Sequence, residues 1–357
     1  GGLWHIDKKY RGHRICESTQ TSDLEEAEQY LARRLESLRQ AKVYGVRPKR
    51  TFKEAATKFL LEHQHKRSIH TDANNLKRLM PYIGNLPIES IHIGILQPFI
   101  EARKKQGVKT RTINHGLKIV RHILNLAASE WIDEFGLTWL NNAVKIKLLP
   151  ESDLRKPYPL DWDEQERLFS HLPQHLAAMA TFAVNTGCRD QEVCRLRWEW
   201  ETRLLGLGSV FIIPAGLVKN GEDRLVVLNE SAQEVIESQR GKHSTYVFIY
   251  RGRPINHMLN NGWRKARKEA ELTQVRVHDL KHTFGRRLRA AGVSLEDRQD
   301  LLGHKSSRIT THYSVAELGD LIDAANKVCQ KLPSTTALTL LKRPVESLLA
   351  HAKVTQA

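Results

Sequence analysis

Apolar side chains recur at helical spacing through most of the chain, and only short stretches alternate as strands do. Residues 23–43 follow a capping sequence and repeat leucine or alanine every three or four positions, which predicts a helix. Ahead of it, aromatic and β-branched residues flank a turn at Arg11-Gly12 within residues 3–20, which indicates a hairpin. The chain is therefore predicted to begin with a hairpin-helix module over residues 1–46.

Residues 51–135 also follow a helical pattern, and the helix at 110–130 has two opposite faces. Its apolar stripe holds Ile113, Leu117, Val120, Leu124 and Ala127. Its opposite stripe is basic and holds Arg111, His115, Lys118 and His122. A solvated face is the usual explanation of a charged stripe, but here no acidic residue interrupts it before Glu130. We therefore predict that this face lies on DNA phosphates.

The later part of the chain mixes helices with short strands. Helices are predicted at 174–186, at about 230–239 and 256–270, and at 315–330. Strands are predicted within 209–228, where Lys219-Asn220-Gly221 is a hairpin-turn signal, and near 245–250. The chain as a whole is predicted to be mainly α with small β-sheets, an α+β fold.

Basic segments containing proline separate these parts and predict the domain boundaries. One lies at 46–50 and another at 141–157, and a third break follows at 333–336. The predicted domains are the module 1–46, a helical domain 47–145 and a mixed domain 146–332. A tail, 333–357, ends in a small amphipathic helix or in frayed chain.

Composition narrows the class of partner. The 357 residues include 56 Lys plus Arg and 40 Asp plus Glu, a formal charge of +16. This excess of positive charge favours a polyanionic partner, with nucleic acid first and an anionic membrane surface second. A basic protein without such a partner would have the same excess. No apolar run approaches the roughly 18 residues of a membrane span. Four scattered cysteines without a C-x-x-C pair favour a reducing cytoplasm and argue against a cysteine zinc site.

Five residues between 186 and 313 carry what phosphoryl transfer requires. A tyrosine hydroxyl, with a pKa of about 10, is a poor nucleophile at neutral pH. Cations must stabilise the charge that develops on the phosphoryl oxygens, and a donor must protonate the leaving oxygen. The candidates are Arg189 in a Thr-Gly-Cys-Arg-Asp-Gln-Glu turn, His278, Lys281, His304 after Leu-Gly, and Tyr313. Each alone would pass for an ordinary residue, but the ordered set would not.

In these motifs the chain resembles the tyrosine recombinases, the phage integrase family, over roughly residues 51–330. The resemblance implies a helical core-site DNA-binding domain and a catalytic domain. It implies that Tyr313 attacks DNA to give a 3′-phosphotyrosine, with no cofactor and no metal. The phosphate would be held by Arg189, His278, Lys281 and His304, with Glu192 supporting Arg189 and Lys219 as the general acid.

The resemblance also implies partners and a location. Family members act as homotetramers on double-stranded DNA recombination sites, and helper proteins that bend DNA are left open. The module 1–46 loosely resembles arm-site DNA-binding modules, with a short accessory hairpin as the alternative. The tail 333–357 would pack on a neighbouring subunit. We expect a cytoplasmic protein, of bacterial or phage origin, that acts on nucleoid DNA and not on a membrane.

The chain departs from the family pattern at Lys281, where the family has arginine. Arginine presents a rigid fork to phosphate oxygens, and lysine presents a point charge on a flexible stem. If Lys281 contacts phosphate, Lys281→Arg should speed cleavage. The departure leaves open a catalytically impaired member that acts as a sequence-specific DNA-binding protein. A basic helical transcription regulator is a third reading, but it fails to explain His304 and Tyr313.

Overall fold

A computed structural model of the chain describes residues 2–10, 12–303 and 315–329. The chain divides into two compact units, residues 1–155 and 156–357. Within the described ranges, helices dominate and three small antiparallel sheets accompany them, so the predicted α+β fold is confirmed. No helix in those ranges is both long and apolar enough to cross a membrane.

The first unit begins with an antiparallel hairpin and a long helix. Strands β1 (His5–Tyr10) and β2 (His13–Ser18) pair in register, and helix α1 (Leu24–Tyr44) follows them. The side chain of Asp23 caps α1 by accepting from the backbone N–H of Glu26. A small core joins both strands, α1 and a later residue of the same unit: Ile6, Ile15, Leu38, Ala41 and Phe135.

Four helices form the rest of the first unit. They are α2 (Phe52–Glu62), α3 (Ile69–Ile83), α4 (Gln97–Lys105) and α5 (Thr110–Ser129). Thr51 and Glu54 close the predicted capping box at the start of α2. The apolar stripe predicted for α5 is buried in the core that these helices share. Burial of this stripe fixes which face of α5 is left for solvent.

The segment predicted to be a domain boundary, 141–157, is tied to α5 along part of its length. The side-chain amide of Asn114 donates to the carbonyl of Leu149 and accepts from its N–H, both at 2.9 Å. It also donates to Glu151 at 3.0 Å, and Ile146 is fully buried. The lysines and prolines of this segment predicted a boundary, and beside them the alternation of Val144, Ile146 and Leu148 with lysine was overlooked.

The second unit is built around α7 (Gln174–Thr186), which packs against α9 (Glu230–Gln239) and α11 (Val277–Ala290). Around these helices lie α6 (Trp162–Ser170), α8 (Asp190–Cys194), α10 (Asn261–Glu269), α12 (Leu295–Leu302) and α13 (Val315–Asn326). A three-stranded sheet has the order β3 (Glu201–Leu204), β4 (Gly208–Ile213), β5 (Arg224–Val227). A short hairpin pairs β6 (Ile249–Tyr250) with β7 (Arg253–Pro254).

Two details of the second unit differ from the sequence predictions. Helix α10 begins at Asn261 and not at 256, because the side chain of Asn260 caps it by accepting from the N–H of Trp263. Strand β3 was not predicted, since its sequence, Glu-Thr-Arg-Leu, contains a single apolar side chain and so shows no alternation.

The first residues of the second unit are held by α11, far along the chain. The backbone N–H of Tyr158 donates to Asp279 at 3.1 Å. The N–H of Leu160 donates to the hydroxyl of Thr283 at 3.0 Å. The start of this unit is therefore fixed only when α11 is in place.

Candidate active site

The site begins at the turn where α7 ends. Gly187 adopts a left-handed conformation, with φ of 63°, as the residue that ends α7. A Cβ at this position would lie 2.8 Å from a ring carbon of Phe284 on α11. Glycine is thus required both by the backbone angle and by the close approach of α11. The turn directs the chain into α8, with Arg189 at its start.

Arg189 is anchored by Glu192, one turn further along α8. The backbone N–H of Arg189 donates to one carboxylate oxygen at 2.7 Å, and its guanidinium donates to the other at 2.7 Å. Glu192 is 4% exposed, whereas Arg189 keeps about a fifth of its side chain accessible. Glu192 therefore fixes the direction of a guanidinium that can still reach a ligand.

A second arginine, which the sequence analysis did not single out, also pairs with the carboxylate of Glu192. Arg224 on β5 is 3% exposed and forms a buried ion pair with Glu192. Its guanidinium also donates to the carbonyl of Gly187 at 3.0 Å. Alternate residues of a strand share a face, so Arg224 points inward with Val226, which is fully buried. An arginine at an inward-facing position of a strand predicts a buried acidic partner, and this was the signal in the sequence that could have identified Arg224.

The charge on Glu192 follows from this arrangement. Burial acts to raise the pKa of Glu192, but the charge of Arg224 and the hydrogen bonds from Arg189 outweigh it. The pKa of Glu192 is consequently held below its usual range, and the carboxylate is ionised at neutral pH.

Helix α11 carries His278 and Lys281, three residues apart and so on neighbouring positions of one face. Lys281 is 6% exposed. Its ammonium donates to the carbonyl of Gly187 at 2.8 Å and also to the carbonyl of Leu302. Burial, followed by the charges of Arg224 and Arg189, lowers the pKa of Lys281 to about 7.

His278 lies one turn before Lys281 and is exposed. Its ring meets the ring of His282 edge-on, with centroids 4.8 Å apart. Partial desolvation, then the charges of His282, Lys281 and Arg189, lowers the pKa of His278. A neutral imidazole at this position can accept a proton near neutral pH.

The turn between β4 and β5 brings a further lysine towards the same region. Lys219 is exposed in this turn, and the side chain of its neighbour Asn220 donates to the carbonyl of Gly303 at 3.1 Å. Gly303 ends α12 in a left-handed conformation, with φ of 57°. His304 and Tyr313 lie outside the described residues.

The described contacts thus connect four separate segments of the chain. Arg189, Glu192 and Arg224 form one charged group, and Lys281 ties the Gly187 turn to the end of α12. An exposed histidine and a partly exposed guanidinium border this group, and fixed donors of this kind stabilise a phosphate that gains charge. Among the residues described, no group of three histidine, cysteine or acidic side chains could hold a metal ion.

In the first unit, the predicted basic face of α5 is on the surface. Arg111, His115, Lys118 and His122 are all exposed. The ring of His122 also contacts the ring of His63, the residue that follows α2, with centroids 5.9 Å apart. Burial and the charges of His63 and Lys66 lower the pKa of His122, which favours its neutral form near neutral pH.

The chain is similar in sequence to known integrases and recombinases. Residues 159–319 match the model of the phage integrase family. The integrase of Salmonella phage P22 is 24% identical over 359 residues, covering 89% of this chain and 89% of that protein. The tyrosine recombinase XerC of Xanthomonas campestris pv. campestris is 26% identical over 267 residues, covering 71% of this chain and 79% of XerC.

Solved structures share the fold. A lambda integrase tetramer bound to a Holliday junction matches with a TM-score of 0.54 and 14% identity, covering 88% of this chain and 96% of that one. The Tn1549 transposon integrase in complex with circular intermediate DNA matches with a TM-score of 0.53 and 18% identity, covering 75% of this chain and 97% of that one.

Proposed function

We propose that the chain is a site-specific tyrosine recombinase of the phage integrase family, which its similarity to that family's model and to integrases and XerC supports, and that its residues cut and rejoin DNA as follows. The hydroxyl of Tyr313 gives its proton to the neutral imidazole of His278, attacks the scissile phosphorus and forms a 3′-phosphotyrosine. The bond from phosphorus to the 5′ oxygen breaks, and Lys219 protonates that oxygen as it leaves. The ester conserves the energy of the broken bond, so a 5′ hydroxyl from another strand reverses the steps and rejoins the DNA.

One observation carries this assignment of roles: the Arg189 turn is joined to the Leu302–Gly303 turn through the side chain of Lys281. Residues 189 and 304 are far apart in sequence, yet the turns that immediately precede them are held together. Arg189 and His278 then approach the phosphate from α8 and α11. We propose that His304 joins them, since it directly follows Gly303.

DNA binding is proposed to involve charge on both units. The exposed basic face of α5 contacts phosphates of the core site, and the formal charge of +16 supplies long-range attraction to the duplex. We propose that four copies assemble on two double-stranded sites, with helper proteins that bend DNA as further partners, in the cytoplasm at the nucleoid. The relatives, named integrases and recombinases, do not favour the alternative of a non-catalytic DNA-binding protein.

Trapping the covalent intermediate tests the proposed reaction. A duplex with a nick close to the cleavage position loses a short fragment after cleavage, so rejoining fails and the intermediate accumulates. We expect a protein–DNA adduct that survives denaturation and has a free 5′ hydroxyl on the released fragment. Candidate sites come from DNA that the protein protects from nuclease. Protection without any adduct would leave the chain as a DNA-binding protein only.

Separating the hairpin-helix module from the rest tests the proposed domain roles. The fragment from Thr51 onwards should still recognise the core site, because it keeps the basic face of α5. The fragment 1–49 should bind different DNA if it is an arm-site module. Nuclease footprints of the two fragments on one long duplex provide the measurement. Coinciding footprints would refute the arm-site role.

A further inference from the structure

The ammonium of Lys281 is committed to the protein's own backbone. It donates to the carbonyl of Gly187 at 2.8 Å and to the carbonyl of Leu302, and the residue is 6% exposed. Both acceptors lie at helix ends, since Gly187 ends α7 and Leu302 is the last residue of α12. Carbonyls at helix ends lack intrahelical partners and require such donors.

A ligand for the scissile phosphate needs donors that face the substrate. An ammonium has three N–H donors and a neutral amine has two, so two carbonyls use all the donors of the neutral form. The lowered pKa of Lys281, about 7, makes the neutral form substantial under ordinary conditions. Arg189, by contrast, keeps about a fifth of its side chain accessible while Glu192 orients it.

We propose that Lys281 is a positioning residue that clamps the turn carrying Arg189 to the turn that leads into His304. This role rests on the proposed function, and it replaces a direct contact between Lys281 and the phosphate. The clamp has a second member, because Asn220, beside Lys219, donates to the carbonyl of Gly303. Arg189, Lys219 and the chain entering His304 are thus held relative to one another by donors that need not touch DNA.

The proposal can be tested by removing charge from the substrate. In a methylphosphonate, a methyl group replaces one non-bridging oxygen of the scissile phosphate and removes its negative charge. A side chain that neutralises this charge matters less on such a substrate, whereas a side chain that positions other residues matters equally on both. Single-turnover cleavage is therefore measured for each variant on phosphate and methylphosphonate duplexes and divided by the wild-type rate.

For Lys281→Met we expect a loss of roughly 100-fold, the order of magnitude for a small misplacement of reacting groups, and the same factor on both substrates. Arg189→Ala is the matched control. Its loss of about 100- to 1000-fold on phosphate should shrink at least severalfold on methylphosphonate. A comparable recovery by Lys281→Met would overturn the proposal and make Lys281 a phosphate ligand.

Two further variants keep the test decisive if Lys281→Met folds poorly. Lys281→Gln is uncharged but keeps N–H donors, so a positioning role predicts faster cleavage than with methionine, and a charge contact predicts equally slow cleavage. Lys281→Arg places a larger group between two close carbonyls. A positioning role therefore predicts slower cleavage by this variant, the opposite of the expectation from the sequence. Faster cleavage would support a phosphate contact. If the wild-type protein forms no adduct on phosphate DNA, the proposed function fails instead.

Discussion

Replacing Tyr313 with phenylalanine is expected to abolish the covalent protein–DNA adduct and leave DNA affinity nearly unchanged. The phenolic oxygen is the only atom that differs, and the proposed intermediate is an ester of that oxygen. Affinity should persist because it is spread over many phosphate contacts, including the basic face of α5. The adduct is scored after denaturation with the nicked duplex, and affinity is measured by titration at one fixed salt concentration.

Tyr250→Phe provides the control for this substitution. Tyr250 is also in the second unit, and its ring stacks on His175 with centroids 4.3 Å apart. Phenylalanine retains that stacking, so this variant should form the adduct at the wild-type rate. An adduct that persists in Tyr313→Phe would exclude Tyr313 as the nucleophile.

Replacing Glu192 with alanine is expected to destabilise the second unit by about 3–5 kcal/mol, the range for breaking a buried ion pair from one side. Arg224 would be left buried at 3% exposure without its counter-charge, and Arg189 would lose the group that orients it. Cleavage should therefore fall even at temperatures where the variant remains folded. Urea denaturation followed by circular dichroism, fitted with one transition per unit, gives the free energy.

Glu237→Ala is a matched control in the same unit. Glu237 also pairs with an arginine three residues away, Arg240, but about half of its side chain is exposed. Exposed pairs contribute only about 0–1 kcal/mol, and Arg240 keeps a second partner in Glu201. Equal losses for Glu192→Ala and Glu237→Ala would show that burial of the Arg224 pair does not set the stability of this unit.

Some of the site could be predicted from sequence because its signals are local. The glycine at 187 predicted the break between two helices, and the resemblance of the motif around it to the family's then assigned Arg189 and Glu192 to this turn. The two faces of α5 could likewise be predicted, since their periodicity is contained within one helix.

Other features depend on pairing between distant segments, which no local pattern records. Arg224 lies 32 positions from Glu192, and although strand alternation could place Arg224 on the inward face, no local pattern identifies Glu192 as its partner. The carbonyls that bind Lys281 lie 94 and 21 positions away. From sequence, a lysine in the position of a family arginine suggested a weaker phosphate contact; its burial against two helix ends suggests a different role.

The docking of Tyr158 and Leu160 on α11 has a consequence for synthesis of the protein. Their partners lie 121 and 123 residues later, and at about 5–20 residues per second a ribosome needs roughly 6–24 s to make that stretch. Residues 1–155 form a compact unit by themselves and leave the ribosome first, so this unit can fold while translation continues. On the proposed role of the basic face of α5, a nascent chain can therefore engage DNA before the residues proposed for cleavage are assembled.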